Sequence, residues 1–297
     1  MRLKTTLEQW QTLRAIDQAG SIQAAALLLN KSHTTLIYSV KKLENQLGIK
    51  LLEIRGRKAV LTEHGMMILR RAQSMLDQAY ELEMLSEQLK RGVESQITLS
   101  MDHLCDPSWV YVPLSAFLSQ NNTTSVQIIE TSLSKTTQMV VNQQADIAII
   151  NLPITNYPAE AFGTTTMLPV IAQHHPLALQ QSVSLADFAT TCQIVVRDLG
   201  ESEPDKQDVG WLRARQRITV DNFDHALQAV EQGVGFCRLP AHIITQHQSD
   251  KIKVLALEHS NQYQVALHIT LPKGAKSGPA TLALYRTLME SAAKRFL

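Results

Sequence analysis

Apolar residues in the first 62 positions of the chain recur at helical spacing in three short segments. The first segment has an apolar residue at every third position: Leu7, Trp10, Leu13 and Ile16. Thr5 and Glu8 have the spacing of a capping box, and Gly20 follows the segment. This pattern predicts a helix that begins near Thr5, buries one face and ends at Gly20.

Two further helices are predicted before Gly48. Ser21 is an N-cap residue for a short helix whose three alanines, Ala24 to Ala26, permit close helix contact. Ser32 is the N-cap of the next helix, whose inward positions recur at intervals of four, three and four: Leu36, Val40, Leu43 and Leu47. A short helix, a tight turn and a second helix form the helix-turn-helix arrangement.

The third helix has a polar face, and a basic hairpin is predicted after it. Short apolar segments at 50–55 and 59–62 surround a basic glycine turn, which predicts a two-stranded wing. Polar groups near the start of a recognition helix suit base edges, and cations suit phosphates. The candidate DNA contacts are Ser32, His33, Thr34, Thr35, Tyr38, Lys41 and Lys42 on the helix, with Arg55, Arg57 and Lys58 on the wing.

A long helix is predicted from Thr62 to about Arg91, a segment with no Gly or Pro after Gly65. Its apolar positions recur at three or four residues, close to the spacing of paired helices: Ile68, Ala72, Met75, Ala79, Leu82, Leu85 and Leu89. A helix of this length needs a partner for its apolar stripe. Two interpretations stay open, a second copy of the chain in a dimer or packing against the chain's own domain.

From Gln96 onward, short apolar strands alternate with helices. Strands are predicted at 97–100, 126–130, 145–150, 167–172, 193–197 and 263–271, with helices near 110–120, 133–143, 222–232 and 279–293. Strand–helix alternation indicates βαβ units and a parallel sheet. We expect two small α/β subdomains linked by two crossing strands, with a ligand crevice between them.

Polar residues follow several of these strands, and ligands of open α/β sheets bind beyond the carboxyl ends of strands. The candidate effector-binding residues are Ser100, Asp102, His103, Thr131, Ser132, Asn151, Arg197, Asp198 and Asn222. Each of them is also an ordinary cap or turn residue. Thr131 and Ser132 suit a carboxylate at a helix start, whereas Asp102 and Asp198 suit an ammonium or hydroxyl group. Together they favour a small polar effector.

The charge of the chain is concentrated at its N-terminus. Residues 1–60 contain ten basic and four acidic residues, whereas the whole chain has a net charge of +1. An excess of positive charge on one module is expected of a surface that meets a phosphate backbone. No apolar run is long enough for a membrane span and no signal peptide is recognisable, so we expect a cytoplasmic protein without membrane contact.

Other chemistry has little support in the sequence. Cys105, Cys192 and Cys237 lie far apart, which indicates neither zinc nor a disulfide framework but leaves a thiol redox switch open. The pair His174 and His175 has no further ligand at metal-binding spacing. We expect no catalytic residues, no metal and no cofactor. Two more hypotheses stay open, an enzyme with an accessory DNA-binding segment and a constitutive DNA binder without an effector.

The N-terminal pattern resembles the signature of LysR-type transcriptional regulators. The resemblance is carried by Ala24-Ala25, Ser32, Leu36, Lys42-Leu43-Glu44, Leu47-Gly48, Leu51-Leu52, Arg55, Arg57 and residues 61–65. It covers residues 5–65 densely and continues weakly to the C-terminus. The family usually has Gln at position 33 and Arg or Lys at 38, so His33 and Tyr38 are expected to read a different half-site.

The resemblance implies a mixed fold with three parts. These are a winged helix-turn-helix DNA-binding domain (1–62), a linker and dimerisation helix (63–92) and an α/β effector-binding domain similar to periplasmic binding proteins (93–297). Its subdomain I comprises about 93–165 and 268–297, and subdomain II about 166–267. The expected partners are double-stranded DNA at interrupted inverted repeats, a small-molecule effector, RNA polymerase and further copies of the chain in a homodimer or homotetramer.

Overall fold

The computed structural model describes residues 3–55, 58–200, 214–258 and 263–295, and the chain divides into two compact units, Met1–Arg91 and Gly92–Leu297. The elements of the first unit are α1 (Leu7–Ala19), α2 (Ile22–Leu28), α3 (His33–Leu47), β1 (Leu52–Arg55), β2 (Lys58–Leu61) and α4 (Glu63–Lys90). Strands β1 and β2 pair antiparallel. The winged helix-turn-helix and the long helix after it are therefore confirmed.

The ends of the helices follow local capping chemistry. The Ser21, Ser32 and Thr62 hydroxyls each accept a hydrogen bond from the backbone N–H three residues later, at 3.0–3.1 Å. Helices α1 and α3 end at Gly20 and Gly48, whose φ angles of 70° and 72° are left-handed.

The predicted capping box at the start of α1 is displaced by one residue. Thr6 is the N-cap and exchanges hydrogen bonds with Gln9, at 3.3 Å to the Thr6 hydroxyl and 2.8 Å from the Thr6 N–H. The Thr5 hydroxyl instead accepts a hydrogen bond from Trp10 Nε1 at 3.1 Å. Glu8, the other predicted member of the box, forms an ion pair with Lys31. Thr5 and Thr6 both have a suitable side chain, and the backbone selects Thr6.

The second unit alternates strands and helices, with nine strands and six α-helices among its described residues. Its elements are β3 (Gln96–Asp102), α5 (Ser108–Gln120), β4 (Ser125–Thr131), α6 (Leu133–Val141), β5 (Ile147–Ile150), β6 (Ala159–Ala172), α7 (Leu185–Ala189), β7 (Gln193–Val196), β8 (Arg217–Val220), α8 (Phe223–Glu231), β9 (Cys237–Pro240), α9 (Ala241–His247), β10 (Ile252–Val254), β11 (Tyr263–Thr270) and α10 (Pro279–Arg295). An α/β architecture is therefore confirmed for this part of the chain.

The sheet of the second unit is mixed, whereas the strand–helix alternation predicted a parallel one. Seven strands are joined in the order β10-β6-β11-β5-β3-β4, with β9 also paired to β6. Strand β3 is parallel to β4 and β5, as the βαβ pattern requires. The long strands β6 and β11 run antiparallel to each other. Strands β7 and β8 form a separate parallel pair.

The carboxyl ends of β3 and β4 lie side by side, because Asp102 pairs with Thr131 in the parallel register. A buried core of sheet and helix residues holds these strands in place, including Ile97, Leu99, Ile147, Ile149, Leu284 and Leu288. Within the described ranges, no helix is both long enough and apolar enough to span a membrane.

Candidate functional site

Helix α3 separates an apolar inner face from a polar outer face. Leu36, Val40 and Leu43 are buried in the cores of the first unit. All nine of the candidate DNA contacts that the structure describes are exposed: Ser32, His33, Thr34, Thr35, Tyr38, Lys41, Lys42, Arg55 and Lys58. Arg57 and its neighbour Gly56 lie outside the described residues. The outer face of α3 is therefore available to a large partner.

The hydroxyl groups at the start of α3 are linked to one another. Ser32 Oγ lies 2.9 Å from Thr34 Oγ1 and 2.7 Å from Thr35 Oγ1, and it also accepts a hydrogen bond from the Thr35 N–H. These contacts restrict the side-chain rotamers before any partner is bound. The first turn of α3 thus presents an ordered set of small donors and acceptors, the kind of group that reads base edges.

The wing carries cations close to an acid. Arg55 and Lys58 are opposite each other in the β1–β2 pair. Arg55 Nη2 lies 2.6 Å from Glu53 Oε1, and both side chains remain open to solvent. An exposed ion pair is weak, so a phosphate can compete with Glu53 for the guanidinium.

Glu44 holds the start of β1 against helix α3. Its carboxylate is buried and accepts hydrogen bonds from Leu51 N at 2.9 Å, Leu52 N at 3.2 Å and Lys50 Nζ at 2.8 Å. Burial raises the pKa of this carboxyl, but the hydrogen bonds outweigh burial and leave the pKa below its ordinary value. In the sequence, Glu44 is visible only through the family resemblance, because this contact depends on the fold.

The apolar stripe of α4 divides into two parts. Ala72 is buried in the core of the first unit with Leu69 and Leu76, and Ile68 is half-buried against the same core. Further along the helix, Met75 is 40% exposed and Leu82 is 68% exposed, while Ala79 and Leu85 are half-buried. The side chain of Leu89 lies outside the described residues.

Three of the candidate effector residues form one buried hydrogen-bond network. Ser100 Oγ lies 3.0 Å from Thr131 Oγ1, which accepts a hydrogen bond from Thr136 Oγ1 at 2.9 Å. Thr136 Oγ1 also lies 3.4 Å from Asp102 Oδ2, and Asp102 Oδ1 accepts a hydrogen bond from Leu104 N. The side chains of Ser100, Asp102 and Thr131 are fully buried. The Thr131 hydroxyl therefore already has hydrogen-bond partners within the protein.

The titratable groups at the end of β3 are shifted toward their neutral forms. Burial raises the pKa of Asp102 to about 7, and the like charges of Glu130 and Asp198 add to the shift. Burial lowers the pKa of His103 to about 4. The His103 ring lies 4.8 Å from the ring of Phe223, and its buried Nδ1 has no hydrogen-bond partner among the described residues.

A second set of contacts surrounds the start of α6. Ser134 N donates hydrogen bonds to both carboxylate oxygens of Asp198 at 3.2 Å, and Ser132 Oγ accepts one from Leu199 N at 2.9 Å. Both Ser132 and Asp198 are buried. These contacts bring together elements expected to belong to different subdomains.

The remaining candidate effector residues lie apart from these contacts or have other roles. Arg197 Nε donates a hydrogen bond to Asp221 Oδ1 at 2.5 Å, and the Arg197 side chain is exposed. Asn222 is the N-cap of α8, where its side chain accepts a hydrogen bond from His225 N at 2.9 Å. Asn151 is half-buried after β5. Asn222 therefore serves as an ordinary N-cap residue of α8.

The sequence patterns did not single out two residues of this region. Ser134 and Thr136 lie on the first turns of α6 and connect the two sets of contacts. Their signal in the sequence is the alternation of hydroxyl residues after the predicted cap, at 132, 134 and 136. This run of hydroxyl residues could have indicated that the first turn of α6 belongs to the same polar site as the candidate residues at the strand ends.

Two of the three cysteines, Cys105 and Cys237, are poor candidates for redox chemistry, whereas Cys192 is half-buried. Cys105 and Cys237 are buried, and burial raises the pKa of the Cys237 thiol to about 12 and the pKa of the Cys105 thiol well above its ordinary value. Thiols of this kind contain little of the reactive thiolate. Across the described ranges, no group of three or more His, Cys, Asp or Glu side chains is arranged to hold a metal ion.

A winged helix-turn-helix module followed by a long helix and an α/β ligand-binding domain defines a DNA-binding transcriptional regulator. Residues 7–66 match the family described as "Bacterial regulatory helix-turn-helix protein, lysR family", and residues 90–293 match "LysR substrate binding domain". The chain belongs to the LysR family of transcriptional regulators, which confirms the resemblance noted in the sequence.

Relatives of the chain agree with this assignment, and a solved structure has the same fold. YhaJ of Escherichia coli K12, a probable HTH-type transcriptional regulator, is 26% identical over 271 residues, which are 88% of this chain and 89% of YhaJ. YeeY of the same organism, also an HTH-type regulator, is 27% identical over 81% of this chain and 79% of its own length. A full-length OxyR variant from Pseudomonas aeruginosa has the same fold, with a TM-score of 0.52, 18% identity and coverage of 97% of this chain and 99% of OxyR.

Proposed function

We propose that the chain is a cytoplasmic, ligand-responsive transcription factor that binds interrupted inverted repeats in double-stranded DNA as a homodimer or homotetramer. The observation that carries the proposal is the outer face of α3. All of its candidate DNA contacts are exposed, while the opposite face is buried in the core of the module. A helix held in this way can enter the major groove without unfolding its own domain.

The proposed contacts divide by chemistry. His33, Thr34 and Tyr38 supply donors, acceptors and an aromatic ring for base edges. Lys41, Lys42 and the wing cations supply charge for phosphates, which orient the protein without specifying sequence. Tyr38 is 68% exposed, so the ring is presented outward and is not part of the core.

Oligomer formation through α4 is supported by the exposed apolar residues beyond the module core. Met75 and Leu82 are seven residues apart and both exposed, which is the repeat of a paired helix. Pairing would place two recognition helices on two half-sites. RNA polymerase is a further proposed partner, since a regulator bound at a promoter lies beside it.

A small polar effector is proposed to bind near the ends of β3 and β4. Buried hydroxyl, carboxyl and imidazole groups converge there, including a His103 nitrogen without a described partner. The thiol switch is disfavoured because Cys105 and Cys237 are buried with raised pKa values.

The proposal is tested by selecting duplexes from a random pool with the purified full chain. We expect enrichment of an interrupted inverted repeat, whose affinity falls by orders of magnitude between about 50 and 200 mM salt, as is typical of ~6–10 phosphate contacts. The variant with Lys41→Ala and Lys42→Ala should bind all duplexes more weakly. Lys251→Ala removes an exposed lysine of the second unit and should bind like the wild type. A chain that selects no sequence and ignores duplexes at low salt would refute the proposal.

A further inference from the structure

The first turn of α6 is the helix start at which the sequence suggested an effector carboxylate. A helix of nine residues begins here, and its first N–H groups have no partner within the helix. Ser132, the N-cap by position, makes no capping hydrogen bond with its side chain. The Asp198 carboxylate takes that place, with both oxygens 3.2 Å from Ser134 N.

The segment that carries Asp198 fits closely against this turn. Leu199 N donates to Ser132 Oγ at 2.9 Å, and Ser132 Oγ lies 3.4 Å from the carbonyl oxygen of Arg197. Gly200 N donates to Asp198 Oδ1 at 3.0 Å. A Cβ atom at Gly200 would lie 1.9 Å from Ser134 Oγ and 3.2 Å from Ser134 Cβ, so a larger residue at 200 would require either the Ser134 side chain or the segment to shift.

Among the described residues, the Ser134 hydroxyl at this turn has no hydrogen-bond partner. Ser134 is 5% exposed, and its Oγ makes no hydrogen bond to any described residue. A buried hydroxyl without a partner is costly, and such groups often mark a place where a ligand binds. An oxyanion at the start of α6 could accept hydrogen bonds from both the Ser134 N–H and the Ser134 hydroxyl.

We propose that Asp198 is an internal ligand of this site, which the carboxylate or similar oxyanion of an effector displaces. The inference rests on the proposed function, because it concerns the regulation of the same effector site. A tethered carboxylate competes at a high effective concentration, so it weakens the apparent affinity for an external anion. Displacement frees residues 197–200 from α6 and changes how the two predicted subdomains are held, as a population shift requires.

The test uses acetate as a stand-in for the missing carboxylate in the full chain. Asp198→Gly should lower the thermal midpoint by about 3–6 °C, since a helix cap is lost. Sodium acetate should restore roughly half of that loss, relative to sodium chloride of equal ionic strength, because the first turn of α6 then has an anion again. Acetate should not raise the wild-type midpoint above the chloride control.

Asp187→Gly is the matched control. Asp187 accepts hydrogen bonds from Ser184 at the start of α7, so its loss also removes a capping carboxylate, although from a different helix. Acetate should leave this variant unchanged. An acetate effect that is absent from Asp198→Gly, or equal in all three proteins, would overturn the proposal.

If Asp198→Gly does not fold, Asp198→Asn supplies the second measurement. The amide keeps the shape of the side chain but not its charge, so amide hydrogens at 133–136 should exchange several-fold faster than in the wild type, and acetate should slow them. Unchanged exchange would reject the internal ligand.

Duplex binding by the wild type is measured in parallel. Its absence would refute the proposed function, whereas the acetate results decide the role of Asp198 alone.

Discussion

Asp102 Oδ2 lies 3.4 Å from Thr136 Oγ1, so a fully buried carboxyl of β3 meets the first turns of α6. The same part of α6 also contacts Asp198 through Ser134 N. Two acidic side chains from distant parts of the chain therefore converge on one short helix. Their like charge contributes to the raised pKa of Asp102, after the larger effect of burial.

Asp102 is predicted to make stability depend on pH. Its pKa is raised from 3.8 to about 7, so between these values the folded chain holds a proton that the unfolded chain has lost. Its contribution to stability therefore falls as the pH rises from about 4 to 7. Over this range Asp102→Asn should gain about 2–4 kcal/mol of unfolding free energy relative to the wild type, measured with denaturant.

His103 has the opposite effect on how folding stability changes with pH. The contribution of Asp102 is therefore isolated by comparing the wild type with Asp102→Asn, since both contain His103. Its pKa is lowered from 6.5 to about 4, so its contribution to stability rises with pH over that range. Asp250→Asn, a change at an exposed carboxyl, is the control and should follow the wild type. Parallel curves for Asp102→Asn and the wild type would show that Asp102 is ionised in the folded chain.

Glu44 is predicted to stabilise the wing through the Leu51 and Leu52 amides. Glu44→Gln removes the charge that these N–H groups and Lys50 Nζ face, at a cost of about 1–3 kcal/mol. Hydrogen exchange at 51–52 should become faster. Glu53→Gln, which removes only the partner of Arg55, should leave that exchange unchanged. Equal exchange in both variants would contradict the role of Glu44.

The pH dependence of the Glu44 contact has the usual sign for a carboxylate. Its pKa is below the ordinary value of 4.5 in the folded chain, so its contribution is complete above that value. The contribution is lost as the pH falls through the lowered folded-state pKa. Protection of the Leu51 amide should therefore decline in acid in the wild type, whereas in Glu44→Gln it should not change over the same range.

His33 and Tyr38 are predicted to determine the half-site. His33→Gln and Tyr38→Arg introduce the side chains that LysR-type regulators usually have, so the preferred bases at one or two positions should change. A good base contact discriminates by about 1–3 kcal/mol, or roughly 5- to 150-fold. Random-site selection measures the change. Lys41→Ala should weaken binding without altering the preference, and identical preferences in all variants would remove both residues from base recognition.

The wing cations are predicted to bind phosphate. Lys58→Ala and Arg57→Ala should each weaken binding to every duplex and reduce the slope of log affinity against log salt by about 0.9. Fluorescence anisotropy over a salt series measures this slope, with Lys251→Ala as the control. A slope equal to that of the wild type would place the substituted residue away from the backbone of the DNA.

Leu82 is predicted to lie in the oligomer contact of α4. Leu82→Asp should shift the full chain toward the monomer in sedimentation experiments, since a charge would be buried in the contact. Met84→Asp is the matched control, because two residues turn a helix by about 200° and place this side chain on the other face. Equal effects of the two substitutions would argue against the stripe through Leu82.

The elements of the first unit were predictable because their signals are local. Apolar spacing and capping residues indicated α1, α3 and α4, with Ser32 and Thr62 correctly placed as N-caps. The choice between Thr5 and Thr6 depends on backbone geometry that adjacent threonines do not reveal. The packing of Ala72 in the module core likewise depends on how α4 lies against α1.

The contacts of the effector region were harder to predict because they join distant residues. Asp198 and Ser134 are 64 positions apart, and only the fold brings the carboxylate to the start of α6. The sequence indicated both Asp198 and Ser132 as polar strand-end residues but not that they meet at one helix start. Asn222 shows the converse, since its capping role follows from its position before α8.

The N-terminal half of α4 is part of the core of the winged helix-turn-helix domain. Leu69, Ala72 and Leu76 are buried in its core, and Arg14 Nη1 lies 2.9 Å from Asp77 Oδ1. The first turns of α4 are therefore fixed rigidly to the winged helix-turn-helix domain. One residue inserted just after Asp77 would rotate the C-terminal part of α4 by about 100° about the helix axis, whereas an insertion of about seven residues would nearly restore its original orientation. The rotation of α4 about its axis, and not only its length, would then govern which operator spacings a paired regulator tolerates.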